Sequence, residues 1–175
     1  MKVRRFTIGV AVAATLLAIA GHAQAVIQTA GTLFVDLDAS NATPAMWVNN
    51  GTLGDFTAGG NAPVIGTVDG AQAVTFDGNS PNGAHYRGPA APIGLTGAGT
   101  AGTRSIEVWA WNPSIAGEET LVSLARRGGP DGTNVAFNYG THPDFGAVGQ
   151  WGLGPDIGWN GAPTAGQRPH HVYPF

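Results

Sequence analysis

Cysteine is absent from the 175-residue chain. Its absence excludes a disulfide framework, a zinc–thiolate site and lipid attachment to a cysteine. The fold of this chain therefore depends on its apolar core and its hydrogen bonds.

Basic residues are also few, and three of the eight lie within the first five positions. Beyond residue 25, five arginines stand against eleven carboxylates, which gives a formal charge of −6 with no lysine. Nucleic-acid binding needs a basic patch that neutralises phosphates, and anionic membrane surfaces attract the same cationic groups. The composition therefore predicts neither partner. It remains compatible with calcium, which binds carboxylate oxygens.

Long apolar runs are limited to one segment near the N-terminus. Lys2, Arg4 and Arg5 precede an uncharged apolar run over residues 8–20, and Ala23 and Ala25 follow it. A basic start, a short apolar run and small residues at the cleavage positions are typical of a secretory signal peptide. As a helix, the run would span about 20 Å, short of the ~30 Å hydrocarbon core of a bilayer. We expect cleavage after residue 25, a secreted or cell-envelope location (extracellular or periplasmic), and no membrane span thereafter.

Glycine and proline are abundant, with 28 and 12 residues, and they cluster between short apolar runs. Such punctuation is typical of turns between β-strands. The predicted strands cover residues 33–37, 64–68, 73–76, 104–111, 120–125, 133–139, 148–153 and 170–173. Their spacing predicts an all-β fold, a two-sheet antiparallel β-sandwich.

The strand predicted over residues 104–111 has apolar residues on both faces. Ile106 and Val108 share one face, and Trp109 and Trp111 share the other. Two apolar faces predict a central strand, with both tryptophans in the core. Glu107 lies between Ile106 and Val108 in the sequence. It is expected to be a carboxylate at the rim or one with a partner.

Four segments resemble, in order, the laminin-G-like (concanavalin A-like) jelly roll found in many bacterial extracellular proteins. They are Val-Thr-Phe-Asp-Gly at residues 74–78, Ser-Ile-Glu-Val-Trp-Ala-Trp at 105–111, Glu-Thr-Leu-Val-Ser-Leu at 119–124, and Gly-Gln with His-His-Val at 166–167 and 170–172. The resemblance runs from about residue 33 to residue 172. It implies a jelly-roll domain over residues 26–175 that binds carbohydrate, protein or calcium at one rim.

The chain departs from that family in two places. Arg168 and Pro169 stand where the family has a core tryptophan. The sequence also stops at Phe175, where family members continue with further strands. We therefore expect a jelly roll that is incomplete at its C-terminus.

Catalytic patterns are weak in this sequence. Glycosidases of this fold need two or three carboxylates alternating along one strand, so that an acid and a nucleophile flank the glycosidic bond. Glu107 is alone in its strand, and Glu118 and Glu119 are neighbours in a turn and should diverge. Residues 97–102 match the dinucleotide pattern G-x-G-x-x-G, but a proline-rich loop precedes them and a strand follows. The sequence predicts a non-catalytic protein.

The candidate ligand-binding residues are aromatic and acidic. Trp151 and Trp159 can form a stacking platform for sugar rings, with core packing as the alternative. Asp131 and Asp144 lie in loops that could bring carboxylates to calcium, with ordinary turn chemistry as the alternative. His170 is followed by a second histidine, and neighbours on a strand point to opposite faces, which favours structural roles over shared metal binding.

The first hypothesis is a secreted, non-catalytic binding or adhesion module that recognises carbohydrate or an extracellular surface protein. One alternative is the N-terminal part of a secreted glycan-active hydrolase. The other is a purely structural surface protein.

Overall fold

The described part of the chain is built from β-strands and has almost no helix. The computed structural model describes residues 29, 31–78, 82–92, 95, 104–117, 119–124, 135–142, 146–152, 157–159, 161, 163–168 and 170–174. The chain divides into two units, Met1–Gly31 and Thr32–Phe175. The elements described below all belong to the second unit.

Antiparallel pairing joins the strands into several small sheets. The strands are β1 Met46–Trp47, β2 Phe56–Gly59, β3 Val64–Val68, β4 Ala71–Thr75, β5 His85–Arg87, β6 Ser105–Trp109, β7 Thr120–Leu124, β8 Val135–His142, β9 Gly146–Gly152, β10 Ile157–Trp159 and β11 His170–Pro174. Their orders are β1-β2-β5, β10-β9-β8-β7, β11-β6 and β3-β4. A short 3₁₀ helix, Ala39–Asn41, precedes β1. The prediction of an all-β fold is confirmed.

The two-stranded β6–β11 ribbon packs on the four-stranded sheet through aromatic rings. The Tyr173 ring lies 5.0 Å from that of Phe137, and the His171 ring lies 4.5 Å from that of Tyr139. Phe137 and Tyr139 on β8 are buried. The hydroxyl of Tyr173 also donates a 2.9 Å hydrogen bond to the carbonyl oxygen of Asn138. Two β-layers therefore meet over a shared aromatic core, which gives this region a sandwich-like character.

A second aromatic group holds the three-stranded sheet. Tyr86 on β5 contacts Trp47 on β1 edge to face, with ring centroids 5.3 Å apart. Phe76, just after β4, contacts the same tyrosine at 6.0 Å. The indole nitrogen of Trp47 donates to the carbonyl oxygen of Asp38 at 2.6 Å. These contacts bury one side of β5 and turn its neighbours His85 and Arg87 to the opposite side.

The β3–β4 hairpin closes through a two-residue turn. Asp69 and Gly70 both have positive φ, 49° and 78°. Such turns match the twist of the strands, and aspartate followed by glycine suits them. Arg168 contacts the turn, with its guanidinium 2.9 Å from the Asp69 carboxylate and 2.6 Å from the Val68 carbonyl oxygen. The strand predicted at residues 64–68 is confirmed, and its partner begins at residue 71 rather than 73.

The strand predicted over residues 33–37 is wrong. This segment forms no strand: three of its carbonyl oxygens accept from backbone N–H groups of residues 50–53, and the side chain of Asn49 supplies the other bonds in place of a regular ladder. The Asn49 amide oxygen accepts from the backbone N–H groups of Asp36 and Gly51, and its amide nitrogen donates to the Phe34 carbonyl. Asn49 is 8% exposed, so these bonds lie largely out of water.

The other predicted strands are confirmed as β6, β7, β8, β9 and β11, with shifted ends. The predicted burial of Trp109 and Trp111 is wrong, because their exposed fractions are 71% and 45%. The outer face of β6 has no covering layer among the residues that the structure describes. Strands β1, β2, β5 and β10 were not predicted, since two to four residues are too few for an alternating pattern.

We expect Gly70→Ala to destabilise the protein by about 1–2 kcal/mol, because a Cβ is strained in the left-handed region. A Cβ at Gly70 would meet no atom within 4 Å, so the effect comes from the backbone alone. Gly66→Ala is the matched control, since Gly66 is equally open but lies in β3 without positive φ. Urea unfolding should place this control within about 0.5 kcal/mol of wild type. Equal losses at both positions would contradict the turn assignment.

Candidate functional site

The outer face of the β6–β11 ribbon carries an exposed cluster of aromatic, acidic and apolar side chains. In the ladder, His170 pairs with Trp109, and Val172 pairs with Glu107. Side chains alternate along a strand, so these four lie opposite the buried aromatic side of the ribbon. All four are exposed. We call Glu107, Trp109, His170 and Val172 the Trp109 face.

The indole of Trp109 is stacked on one side only. The rings of Trp109 and His170 are nearly parallel, 9° apart in plane, with centroids separated by 4.4 Å. Because Trp109 remains 71% exposed, its other side is open to solvent. A large flat ring is therefore held in place and presented outward.

Glu107 fixes the imidazole that supports the indole. The Nε2 atom of His170 lies 2.6 Å from Oε1 of Glu107. The carboxylate is an acceptor, so Nε2 carries the shared proton. Exposed ion pairs contribute only about 0–1 kcal/mol to stability, so orientation is the larger effect of this contact. The prediction that Glu107 has a partner is confirmed.

The arrangement suits stacking of a planar or apolar surface, with a carboxylate beside it. An aromatic face packs against the apolar face of a sugar ring, while nearby polar atoms bond its hydroxyls. Glu107 is the single carboxylate of the Trp109 face, whereas glycoside hydrolysis generally uses a pair. The geometry of this face therefore favours binding over hydrolysis.

His171 occupies the inner face of the same strand, between Tyr139 and Tyr173. Its ring lies 4.5 Å from the Tyr139 ring and is stacked with the Tyr173 ring at 6.0 Å. Its Nε2 atom is buried and has no hydrogen-bond partner among the described residues. Burial lowers the pKa of His171, and the charge of His170 lowers it further. The expectation that the two histidines point to opposite faces is confirmed.

Trp151 and Trp159 lie on neighbouring strands of the four-stranded sheet. Trp151 is in β9 opposite Ala136 of β8, and Trp159 is in β10 opposite Ala147 of β9. Ala147, the partner of Trp159, precedes Trp151 by four positions in β9, which is about 13 Å along the strand. Their role as a stacking platform stays a prediction.

The calcium candidates Asp131 and Asp144 lie outside the described residues, as do residues 1–25 and the glycine-rich segment 97–102. Within the described ranges, no group of three or more histidine, aspartate or glutamate side chains could hold a metal ion. No helix in that part of the chain is long and apolar enough to cross a membrane. Calcium binding stays a prediction.

Reasoning from the sequence missed Trp109 and His170 as members of an exposed cluster. One signal was available, since period-two alternation places Glu107 and Trp109 on the same face of β6. A charged residue on that face indicates exposure. The face was nevertheless predicted to be buried, because Trp111 continues it with a second large apolar ring.

No protein family, curated protein or solved structure matches the chain. Interpretation of the Trp109 face therefore depends on its own geometry.

We expect the free energy of unfolding to fall as the pH drops from about 7 towards 5. The folded state holds His171 at a lowered pKa, so below the usual histidine value of about 6.5 protons bind the unfolded chain preferentially. His171→Phe retains a ring between the two tyrosines but cannot titrate. Urea unfolding at several pH values should show a smaller fall in the free energy of unfolding for this variant than for wild type.

The control is His85→Gln, which removes an exposed histidine from β5. It should keep the pH dependence of wild type. An unchanged pH dependence in His171→Phe would contradict the role given to His171.

Proposed function

We propose that this protein is a secreted, non-catalytic binding module that recognises carbohydrate through the Trp109 face. The observation that carries the proposal is the open side of the Trp109 indole, held by stacking on His170. Contiguous exposed apolar surface with polar groups at its edge marks interaction sites.

The fixed geometry favours binding energetically. Ordering a mobile side chain on association costs about 0.5–1.5 kcal/mol, and a side chain ordered beforehand avoids that loss. Glu107 and His170 already restrict the indole, and the second carboxylate oxygen of Glu107 can accept from a sugar hydroxyl. A ring that stacks on Trp109 would therefore meet a polar group at its edge.

The architecture proposed for the module is a laminin-G-like jelly roll that follows a signal peptide. The sandwich-like packing of β6 and β11 on the β7–β10 sheet supports the sandwich. The resemblance of four sequence segments supports the family, and the N-terminal charge and hydropathy pattern supports export.

A surface protein is the second candidate ligand. Val172 lies beside Trp109 on the ribbon and is 53% exposed, so the face includes an aliphatic surface as well as an aromatic one. Aromatic residues are enriched in protein interfaces, and polar groups surround them at the rim. Carbohydrate is preferred because the indole is presented flat and the Glu107 carboxylate lies on the same face of the ribbon.

The binding proposal predicts that Trp109→Ala weakens oligosaccharide binding about tenfold or more, as the loss of a central aromatic anchor does. A glycan array with the purified protein would first identify an oligosaccharide, and calorimetry would compare the variants. Trp109→Phe should retain part of the affinity because it keeps an aromatic face. The oligosaccharide affinity of His170→Ala should lie between those of wild type and Trp109→Ala.

Phe76→Ala is the control, since Phe76 is an exposed aromatic residue outside the Trp109 face. It should bind as wild type does. Full affinity in Trp109→Ala would overturn the assignment of this face, and a glycan array without any bound glycan would favour the protein ligand.

Export is tested at the N-terminus of the secreted protein. Cleavage after residue 25 should leave Val26 as the first residue, which mass spectrometry of the secreted fraction would detect. An intact Met1 in that fraction would contradict the signal-peptide proposal.

A further inference from the structure

A groove lies over strands β2 and β5, and none of its lining residues belongs to the Trp109 face. Its volume is about 620 Å³. In the ladder, Thr57 pairs with Arg87, and Gly59 pairs with His85, so these residues share one side of the sheet. Asp55 also lines the groove, just before β2.

Glycines line part of the groove. A Cβ at Gly59 would overlap the His85 imidazole, and a Cβ at Gly88 would overlap the Phe56 ring. Gly60 has a φ of 66° and also lines the groove. A side chain at Gly59 would therefore displace the His85 imidazole, which lines the same groove.

The polar groups that border the groove are available for a ligand. The backbone of Arg87 pairs with Thr57 in the ladder, while its guanidinium makes no hydrogen bond or ion pair among the described residues. Asp55 accepts a 2.9 Å hydrogen bond from the Asn49 N–H through Oδ1 alone. The Nδ1 atom of His85 lies 3.0 Å from the Gly83 carbonyl oxygen, so it carries a proton towards that acceptor. Within the described part of the chain, a guanidinium, a carboxylate oxygen and a threonine hydroxyl are therefore without partners and can bind a ligand.

We propose that this groove binds a sugar unit that carries a carboxylate, that is, a uronic acid. The guanidinium of Arg87 matches a carboxylate with two parallel hydrogen bonds. Asp55 and Thr57 bond the ring hydroxyls. The choice of a sugar rests on the proposed function, while the requirement for an anionic group rests on Arg87.

The charges of the groove discriminate between ligand classes. A small inorganic anion would engage Arg87 but would leave the hydroxyl-binding groups unused. A neutral sugar would use Asp55 and Thr57 but leave the guanidinium without a charged partner. A uronic acid satisfies all three groups at once.

The test follows the backbone amide resonances of the purified ¹⁵N-labelled protein during titration with sodium glucuronate and sodium galacturonate. Glucose and sodium acetate are the matched probes for the ring and for the charge. We expect at least one uronate to shift the amides of β2 and β5 more strongly than either matched probe. Arg87→Gln should weaken this binding about tenfold or more, and Arg87→Lys should weaken it less, because the charge remains.

Arg168→Gln is the control for the loss of one positive charge, because Arg168 contacts Asp69 rather than the groove. The amide shifts of this variant during uronate titration should match those of wild type. Equal shifts with acetate, equal shifts with glucose, or an unchanged affinity in Arg87→Gln would each overturn the proposal.

Trp109→Ala distinguishes a failure of the groove proposal from a failure of the proposed function. It should leave the uronate titration at β2 and β5 unchanged while binding at the Trp109 face is lost. If neither uronate shifts these amides but Trp109-dependent glycan binding persists, the groove proposal fails and the proposed function stands.

Discussion

Packing of the β6–β11 ribbon on β8 is the contact on which the Trp109 face depends. Tyr173 lies against Phe137, and its hydroxyl donates to the Asn138 carbonyl. Burial also raises the pKa of Tyr173 to about 12, so this donor keeps its proton throughout the physiological range. Because strand side chains alternate, burying His171 and Tyr173 turns the residues between and beside them outward. The core thereby sets which side of the ribbon meets solvent.

Local sequence patterns predicted the strands that are long and alternating. They did not predict which strands pair. Strand β6 pairs with β11, more than sixty residues further along the chain, and the choice depends on tertiary packing. Trp109 was assigned to the core because both faces of its strand are apolar. Its exposure follows from the absence of a second layer over that face in the described residues, which no local pattern encodes.

The groove was beyond prediction for a different reason. Its strands β2 and β5 have four and three residues, and its lining is mostly glycine and polar side chains with no motif. Asn49 illustrates the same difficulty, because one buried amide organises the segment around Phe34 and also donates its backbone N–H to Asp55. Such side-chain hydrogen bonds accompany the backbone bonds of an irregular segment, and they do not change the hydrophobic pattern. The candidate sites thus arise from pairing and packing, whereas the sequence pattern indicates the fold class.

Fluorine NMR of the protein labelled with 5-fluorotryptophan would examine all five tryptophans at once. Trp109→Phe identifies one resonance, and a soluble paramagnetic agent reports which rings meet solvent. We expect the Trp109 resonance to be broadened strongly by the agent, and to shift and become protected when a bound oligosaccharide is added. A Trp109 resonance that the sugar leaves unchanged, while that of Trp151 or Trp159 shifts, would contradict binding at the Trp109 face.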